Sequence, residues 1–222
     1  MEYSFDWGVL WRYREQLMSG FELTLALSLL GLAGAVAVGL IAGAAGASAR
    51  RAPRTLAAGY VELARNVPLL VHMYFWYLGL TALRLPAFWC GVLALTLYSG
   101  SYVAEIVRSG IQSVPAGQQA AAHASGLSAR QTLVHVIYPQ ALRIVAPSLA
   151  GLFSQLIKDS SLASVISVGE LTFVAGAIEG DTFRTFEAYI GITVLYLILV
   201  TAVSQAALRG LGGRIVDPVM RY

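Results

Sequence analysis

A few ionisable residues interrupt otherwise apolar stretches, and they are the first candidates for chemistry in this sequence. Lys158, the only lysine of the chain, precedes Asp159, and His72 lies in another apolar stretch. A charge at the centre of a bilayer costs on the order of 3 kcal/mol, so such residues usually contact a partner or line a pathway. The candidates for a substrate path or gate are His72, Glu105, Lys158, Asp159, Ser160 and Ser161. We favour a structural role at a bend or dimer seam for Lys158 and Asp159, and a hydrogen-bonding role for His72.

Catalytic and metal chemistry find no support in the sequence. The three histidines show no metal-ligand spacing, and Cys90, the single cysteine, lies in an apolar run, where a small packing residue is expected. Asp159 follows the lone lysine, and no glycine-rich turn stands at the spacing of a phosphate-binding loop. The sequence therefore predicts no catalytic site, no metal and no cofactor in this chain.

The composition is that of a protein surrounded by lipid. Hydrophobic residues make up 57% of the 222 residues and charged residues only 12%, with a mean hydropathy of +0.68. The 15 basic residues form short clusters between long uncharged runs, and the net charge is only +3. We expect the chain to contact a lipid bilayer and no nucleic acid.

Charge-free windows long enough to cross the hydrocarbon core mark five predicted spans, because crossing it takes about 20 helical residues. They lie between Glu22 and Arg50, between Arg65 and Arg84, from Leu85 to Ala104, from about Ile144 to Val168 with a break at Lys158 to Ser161, and between Glu187 and Arg209. Glu105 and Arg108, three residues apart, are expected to pair on one helix face.

Arginine positions orient these spans, because basic residues that flank spans stay in the cytoplasm. Ten arginines fall on the side of the loop after the first span, against four on the other side, where most acidic residues collect. The predicted organisation is an extracytoplasmic or interfacial segment 1–20, a transmembrane domain 21–210 with a cytoplasmic loop at about 113–140, and a cytoplasmic tail 211–222.

The cytoplasmic loop carries the most specific local signals. Ser113 and Pro115 predict the start of a helix near Val114, which Gly126 then ends in a left-handed conformation. Ser128 and Gln131 have the spacing of a capping box, which predicts a second helix that Pro139 ends or kinks. Two short helices at a glycine elbow would suit docking into a groove of another protein, and an ordinary interhelical connection is the alternative.

Several motifs in this order resemble the permease subunits of polar amino-acid ABC importers. The matching runs are Tyr60 to Leu70, Tyr102 to Ile111, Gly117 to Ala122, Gly126-Leu127, Ile137 to Ala141 and Lys158 to Leu162. The loop resembles the cytoplasmic "EAA" loop of that family, with Ala120 in place of its glutamate and Tyr138 where leucine is usual. The resemblance implies an all-α integral membrane protein with the type I ABC-importer permease fold.

The resemblance also implies partners and a role for the loop. The coupling residues would be Gly117, Gln118, Ala120, Ala121, Ala122, Gly126, Leu127 and Pro139. Two copies of an ABC ATP-binding subunit would bind ATP and Mg, a second permease, identical or homologous, would complete the path, and an extracytoplasmic amino-acid-binding protein would deliver substrate. Acidic residues from Glu170 to Glu187 either take part in that docking or, as we favour, form a solvated loop.

The implied function is ATP-driven uptake of polar amino acids across the bacterial inner membrane, by a transport subunit that is not itself an enzyme. Two runs, Phe183 to Glu187 and Arg65 to Pro68, resemble acidic amino-acid permeases, and this resemblance favours glutamate, aspartate or glutamine. The alternative is an ion-gradient-driven secondary transporter or a channel subunit. Five spans do not divide into two equal inverted repeats, which argues against a secondary transporter.

Overall fold

The computed structural model describes residues 3–212, and within them all regular structure is helical. The predicted tail, 211–222, therefore lies almost wholly outside the described residues. The ten α-helices are α1 Gly8–Arg12, α2 Arg14–Gly46, α3 Arg51–Asn66, α4 Leu69–Gly79, α5 Ala87–Ser113, α6 Ala116–Ala124, α7 Ala129–Thr132, α8 Tyr138–Asp159, α9 Leu171–Thr182 and α10 Thr185–Gly212. Short 3-10 helices cover Thr81–Leu83 and Ser160–Ile166, and a π-helical turn covers Leu133–Ile137.

Four helical stretches are long and apolar enough to cross a membrane: Arg14–Gly46, Ala87–Ser113, Ala129–Ile166 and Thr185–Ala206. They correspond to the first, third, fourth and fifth predicted spans. The second predicted span appears as α4, a mostly apolar helix of 11 residues that extends about 16 Å at the helical rise. Pro68, which has an extended backbone, separates α4 from α3. Helix α4 alone is thus shorter than a bilayer core.

The chain divides into two compact units. Unit 1 contains residues 3–33, 67–96 and 154–203, and unit 2 contains residues 34–66, 97–153 and 204–212. In unit 1 a core cluster joins the amino-terminal segment to α9 and α10, and its members include Val9, Leu17, Leu171, Ile178 and Ile192. Helix α4 also packs against the 3-10 helix that begins at Ser160.

In unit 2, α2 and α5 approach closely at glycines. A Cβ atom on Gly39 would lie 2.3 Å from the Cβ of Val103, and one on Gly43 would lie 2.8 Å from the Cβ of Val107. Such contacts are possible only without a side chain, which is the close packing that small residues permit between membrane helices. Gly39 and Gly43 therefore fix how near these two helices lie.

The second loop helix does not end at Pro139, which was one of the two outcomes, an end or a kink, that the sequence predicted there. Helix α7 passes into the π-helical turn Leu133–Ile137 and then into α8, so Pro139 stands in the first turn of α8. Proline lacks the amide for a normal helical bond, and a π turn accommodates such a defect by shifting the bonding pattern. The helix changes type again at Ser160, where α8 ends and the 3-10 helix begins, within the predicted break from Lys158 to Ser161.

Candidate functional site

The glycine elbow of the cytoplasmic loop is a complete helix-capping motif. Gly126 has φ +82°, and its amide donates to the carbonyl of His123 at 3.0 Å. The amide of Leu127 donates to the carbonyl of Ala122 at 3.1 Å. These two bonds define a Schellman motif, which satisfies carbonyls that the end of α6 would otherwise leave unpaired. The prediction that Gly126 ends the first loop helix in a left-handed conformation is confirmed.

The second loop helix begins with the predicted capping box. The Gln131 amide donates to Ser128 Oγ at 3.3 Å, and the Ser128 amide donates to Gln131 Oε1 at 2.9 Å. The predicted cap at Ser113 is wrong, because α5 extends to Ser113, whose hydroxyl donates to the Gly110 carbonyl at 2.8 Å. Pro115 occupies the N-cap position of α6 instead.

The surface of α6 is open. Gly117, Gln118, Ala120 and Ala121 are exposed, whereas Ala122 is buried. Of the other predicted coupling residues, Gly126 and Pro139 are exposed and Leu127 is half-buried. A link that sequence reasoning missed joins α6 to α8, where Gln140 Nε2 donates to Gln118 Oε1 at 3.3 Å. The result is a helix of small residues held at both ends, with nearly one whole face free for a partner.

The polar candidates of unit 1 lie near the end of α8. Lys158 is exposed, Asp159 accepts a 2.8 Å bond from Gln155, and no ion pair joins the two within the part of the chain that the structure describes. Ser160 is buried, donates to the Ile157 carbonyl at 2.7 Å and lies 3.3 Å from the Ser28 hydroxyl oxygen.

Two further candidates of unit 1 lie beside that change of helix type. The Ser161 hydroxyl donates to the Lys158 carbonyl at 2.7 Å. His72 is buried on α4, which packs against the 3-10 helix beginning at Ser160. His72, Ser160 and Ser161 thus belong to one region, where side-chain hydroxyls satisfy backbone carbonyls.

Glu105 belongs to unit 2, and the predicted pair with Arg108 is confirmed. Arg108 Nη2 lies 2.5 Å from Glu105 Oε1 and Arg108 Nε lies 3.2 Å from Oε2, a bidentate arrangement. The pair lines a cavity of about 340 Å³ together with Arg54, Glu62 and Arg65. Unit 2 therefore contains a polar cavity with three arginines and two glutamates, which sequence spacing alone did not reveal.

The interpretation of Glu170 to Glu187 as a solvated loop is wrong. These residues form α9 and the start of α10; Glu170 and Glu187 are fully buried, whereas Glu179 is half-buried and Asp181 is exposed. Glu170 caps α9 by accepting from the Phe173 amide at 2.9 Å, and it accepts from the Tyr196 hydroxyl at 2.6 Å. Burial raises the pKa of the Glu170 carboxyl, and the hydrogen bond from Tyr196 opposes that rise. The sequence did not mark this cap, because glutamate is not among the residues that helices prefer at the N-cap.

The sequence, compared with known proteins, matches the family described as "Binding-protein-dependent transport system inner membrane component" over residues 35–216. The chain belongs to this family. The probable glutamine ABC transporter permease protein GlnM of Bacillus subtilis (strain 168) is 38% identical over 189 residues, which cover 84% of this chain and 88% of that protein. The glutamate/aspartate import permease protein GltJ of Escherichia coli (strain K12) is 31% identical over 222 residues, covering 90% of each.

A solved structure extends the agreement to three dimensions. The crystal structure of an amino acid ABC transporter with histidines is 35% identical in sequence, with a TM-score of 0.84 over 92% of this chain and 97% of that one. The expected all-α fold of a type I ABC-importer permease is therefore confirmed. This inner membrane component is a multi-pass protein of the bacterial cytoplasmic membrane.

Proposed function

We propose that this chain is the permease of an importer for polar amino acids, and that a separate ATP-binding subunit drives it through α6 and the elbow at Gly126. The observation that carries this proposal is the construction of the loop. Helix α6 is exposed, closed by a Schellman motif and followed by a capping box, so its shape is fixed without a partner. Because this helix is already folded, binding a partner does not require the loop to lose conformational entropy first.

The loop also has the connections that a coupling element needs. It lies between α5 and the continuous helical stretch that runs from α7 through the π turn into α8, and both of these contain candidate spans. The bond from Gln140 to Gln118 ties α6 directly to α8. If ATP-bound and ATP-free partners favour different positions of α6, the difference in binding free energy shifts the spans between two arrangements. ATP and Mg would be bound by the partner subunit.

The contact with the ATP-binding subunit would rest on shape more than on charge. Ala120 replaces the glutamate of the family and is exposed between Gln119 and Ala121. The remaining small side chains let a groove approach the backbone of α6 closely. We infer that two ATP-binding subunits, a second permease, identical or homologous, and an extracytoplasmic amino-acid-binding protein complete the assembly.

For the substrate we propose glutamine, glutamate or aspartate. Two supports are the glutamine permease of Bacillus subtilis and the glutamate/aspartate permease of Escherichia coli, to which this chain is similar over most of its length. The candidates for the substrate path or gate remain His72, Glu105, Lys158, Asp159, Ser160 and Ser161.

Uptake by the reconstituted complex tests this function. Proteoliposomes that contain the permease, its ATP-binding subunit and the binding protein should accumulate labelled glutamine, glutamate or aspartate when ATP is present on the ATPase side. An ATP-binding subunit that binds but does not hydrolyse ATP is the matched control and should abolish accumulation. Uptake driven by a proton or sodium gradient without ATP would contradict the proposal and support a secondary transporter.

A further inference from the structure

The amino-terminal segment of unit 1 presents an exposed aromatic surface. Phe5, Trp7 and Trp11 are 55%, 51% and 73% exposed, and the rings of Phe5 and Trp7 stack with centroids 5.6 Å apart. Phe186, the second residue of α10, is also exposed and lies 6.3 Å from the Phe5 ring. We call these four rings the aromatic face. So many large exposed rings in one place mark an interaction site.

Polar bonds hold this segment against α10. Glu187 is fully buried and accepts from the Asp6 amide at 2.7 Å and from the Tyr3 hydroxyl. Arg184 lies 3.6 Å from Glu187 and donates to the Ser4 carbonyl. Buried charges are retained when they are paired and hydrogen-bonded, as Glu187 is here. The aromatic face is thus a fixed surface and not a loose terminus.

Apolar packing fixes the same segment from its other side. Val9 on α1 is fully buried in the core cluster, and a Cβ atom on Gly191 would lie 2.7 Å from Leu10 Cδ2. On α1 the aliphatic Val9 and Leu10 therefore pack inward, whereas Trp11 stays exposed.

The aromatic face continues into the exposed stripe of the last span. Ile190, Val194 and Leu197 follow Phe186 at helical spacing on α10, and all four side chains are exposed. Thr185–Ala206 is a candidate span of an inner membrane component, so acyl chains are the expected neighbours of this apolar stripe. The aromatic face lies at the amino-terminal end of that candidate span, and the ends of spans are where tryptophan and tyrosine collect in membrane proteins.

Arginines frame the aromatic face. The Arg14 guanidinium lies 5.0 Å from the Trp11 ring centroid, and Arg12 pairs with Asp6 at 2.7 Å. Aromatic rings with basic side chains beside them suit the headgroup layer, where lipid phosphates meet the acyl chains. We propose that the aromatic face lies in the headgroup layer of the leaflet at the amino-terminal end of α10, and that Glu187 is the latch that holds it there.

Tryptophan fluorescence of the full-length chain in proteoliposomes tests this proposal. Replacing Trp76 and Trp89 with phenylalanine leaves Trp7 and Trp11 as the only tryptophans of the chain. Their emission should be quenched most by lipids with bromine about 5–10 Å below the headgroups, less by bromine near the bilayer centre, and little by acrylamide in the water. The opposite pair, Trp7→Phe with Trp11→Phe, reports the other two tryptophans as the reference.

The latch has its own test in the same background. Glu187→Gln should increase quenching by acrylamide and weaken the preference for shallow bromine, whereas Glu22→Gln, a charge loss at an exposed side chain on α2, should change neither. Strong acrylamide quenching with no effect of brominated lipid would place the face in water, as a surface for a soluble protein, and would overturn the proposal. An unchanged Glu187→Gln profile would overturn the latch.

Discussion

Gly126→Ala should weaken the elbow through the backbone alone. Nothing lies within 4 Å of a Cβ atom at this position, so the substitution creates no clash. The cost arises from φ +82°, a left-handed conformation that is unfavourable for an L-residue by roughly 1–2 kcal/mol. If the loop keeps its conformation, that energy raises the population of the opened elbow about 5- to 30-fold.

Gly117→Ala provides a matched control for this prediction. Gly117 also has open space around it, lies in the same loop and is not left-handed. Alanine should therefore be neutral there or stabilise α6 by up to about 1 kcal/mol. Gly126→Asn should fall between wild type and Gly126→Ala, because asparagine tolerates the left-handed region better than alanine does.

Hydrogen exchange of the loop amides in the assembled transporter measures the effect. The amides of residues 126 and 127, which close the Schellman motif, should exchange faster in Gly126→Ala by about the factor calculated from the backbone cost. Substrate uptake per ATP hydrolysed should fall in the same variant. Equal exchange in wild type and Gly126→Ala, or equal acceleration in Gly117→Ala, would refute the reasoning.

Three further predictions follow from contacts elsewhere. Gly39→Ala should destabilise unit 2 by about 1–3 kcal/mol, because its Cβ would overlap Val103, and thermal unfolding in detergent should show no such loss for Gly151→Ala, which has open space. Burial raises the pKa of Glu170, so the folded chain holds this proton more tightly than the unfolded chain. Stability should then fall as pH rises above the ordinary glutamate range, and Glu170→Gln should remove that slope. Ser128→Ala should cost about 1 kcal/mol of loop stability, and unchanged exchange at residues 129–132 would contradict the capping role.

The loop was predictable because its signals are local. A left-handed glycine after an alanine-rich run, and a serine with glutamine three positions later, act within a few residues and need no tertiary contact. Both are present in the structure at Gly126 and at Ser128 with Gln131. The Glu105 and Arg108 pair was equally local, since residues three apart on a helix are neighbours.

Burial of the acidic residues was not predictable from one sequence. Glu170 and Glu187 look like surface charges in a polar interval, and their burial depends on Tyr196 and on the amino-terminal segment, which are distant in the chain. The charge-free windows predicted where apolar helices lie, but they did not predict the residues at which those helices begin and end. Helix α2 begins at Arg14, before the exposed Glu22, because a helix can extend into the aqueous layer.

Pro139 shows a different limit of prediction from the sequence. Proline ends or kinks a helix, and of these two predicted outcomes the structure shows no end at Pro139, only a π-helical turn just before it. The π turn before it removes the conflict, and no residue pattern in the sequence marked that turn. The length of α4 was also not predicted. The apolar window between Arg65 and Arg84 includes Pro68 and the 3-10 turn Thr81–Leu83, which shorten the helix.

Cross-linking from Gln119 tests most directly whether a separate ATPase drives this chain through its loop. Gln119 is exposed on α6, and Cys90→Ala removes the single cysteine, so Gln119→Cys becomes a unique attachment site. We predict that a short cross-linker joins it to the ATP-binding subunit, that the yield changes with bound ATP, and that a membrane-impermeant thiol reagent outside the cell does not reach it. Labelling of this cysteine from outside the cell would contradict the account. So would ATP-dependent uptake by a variant that lacks residues 116–132 but still assembles with all its partner subunits.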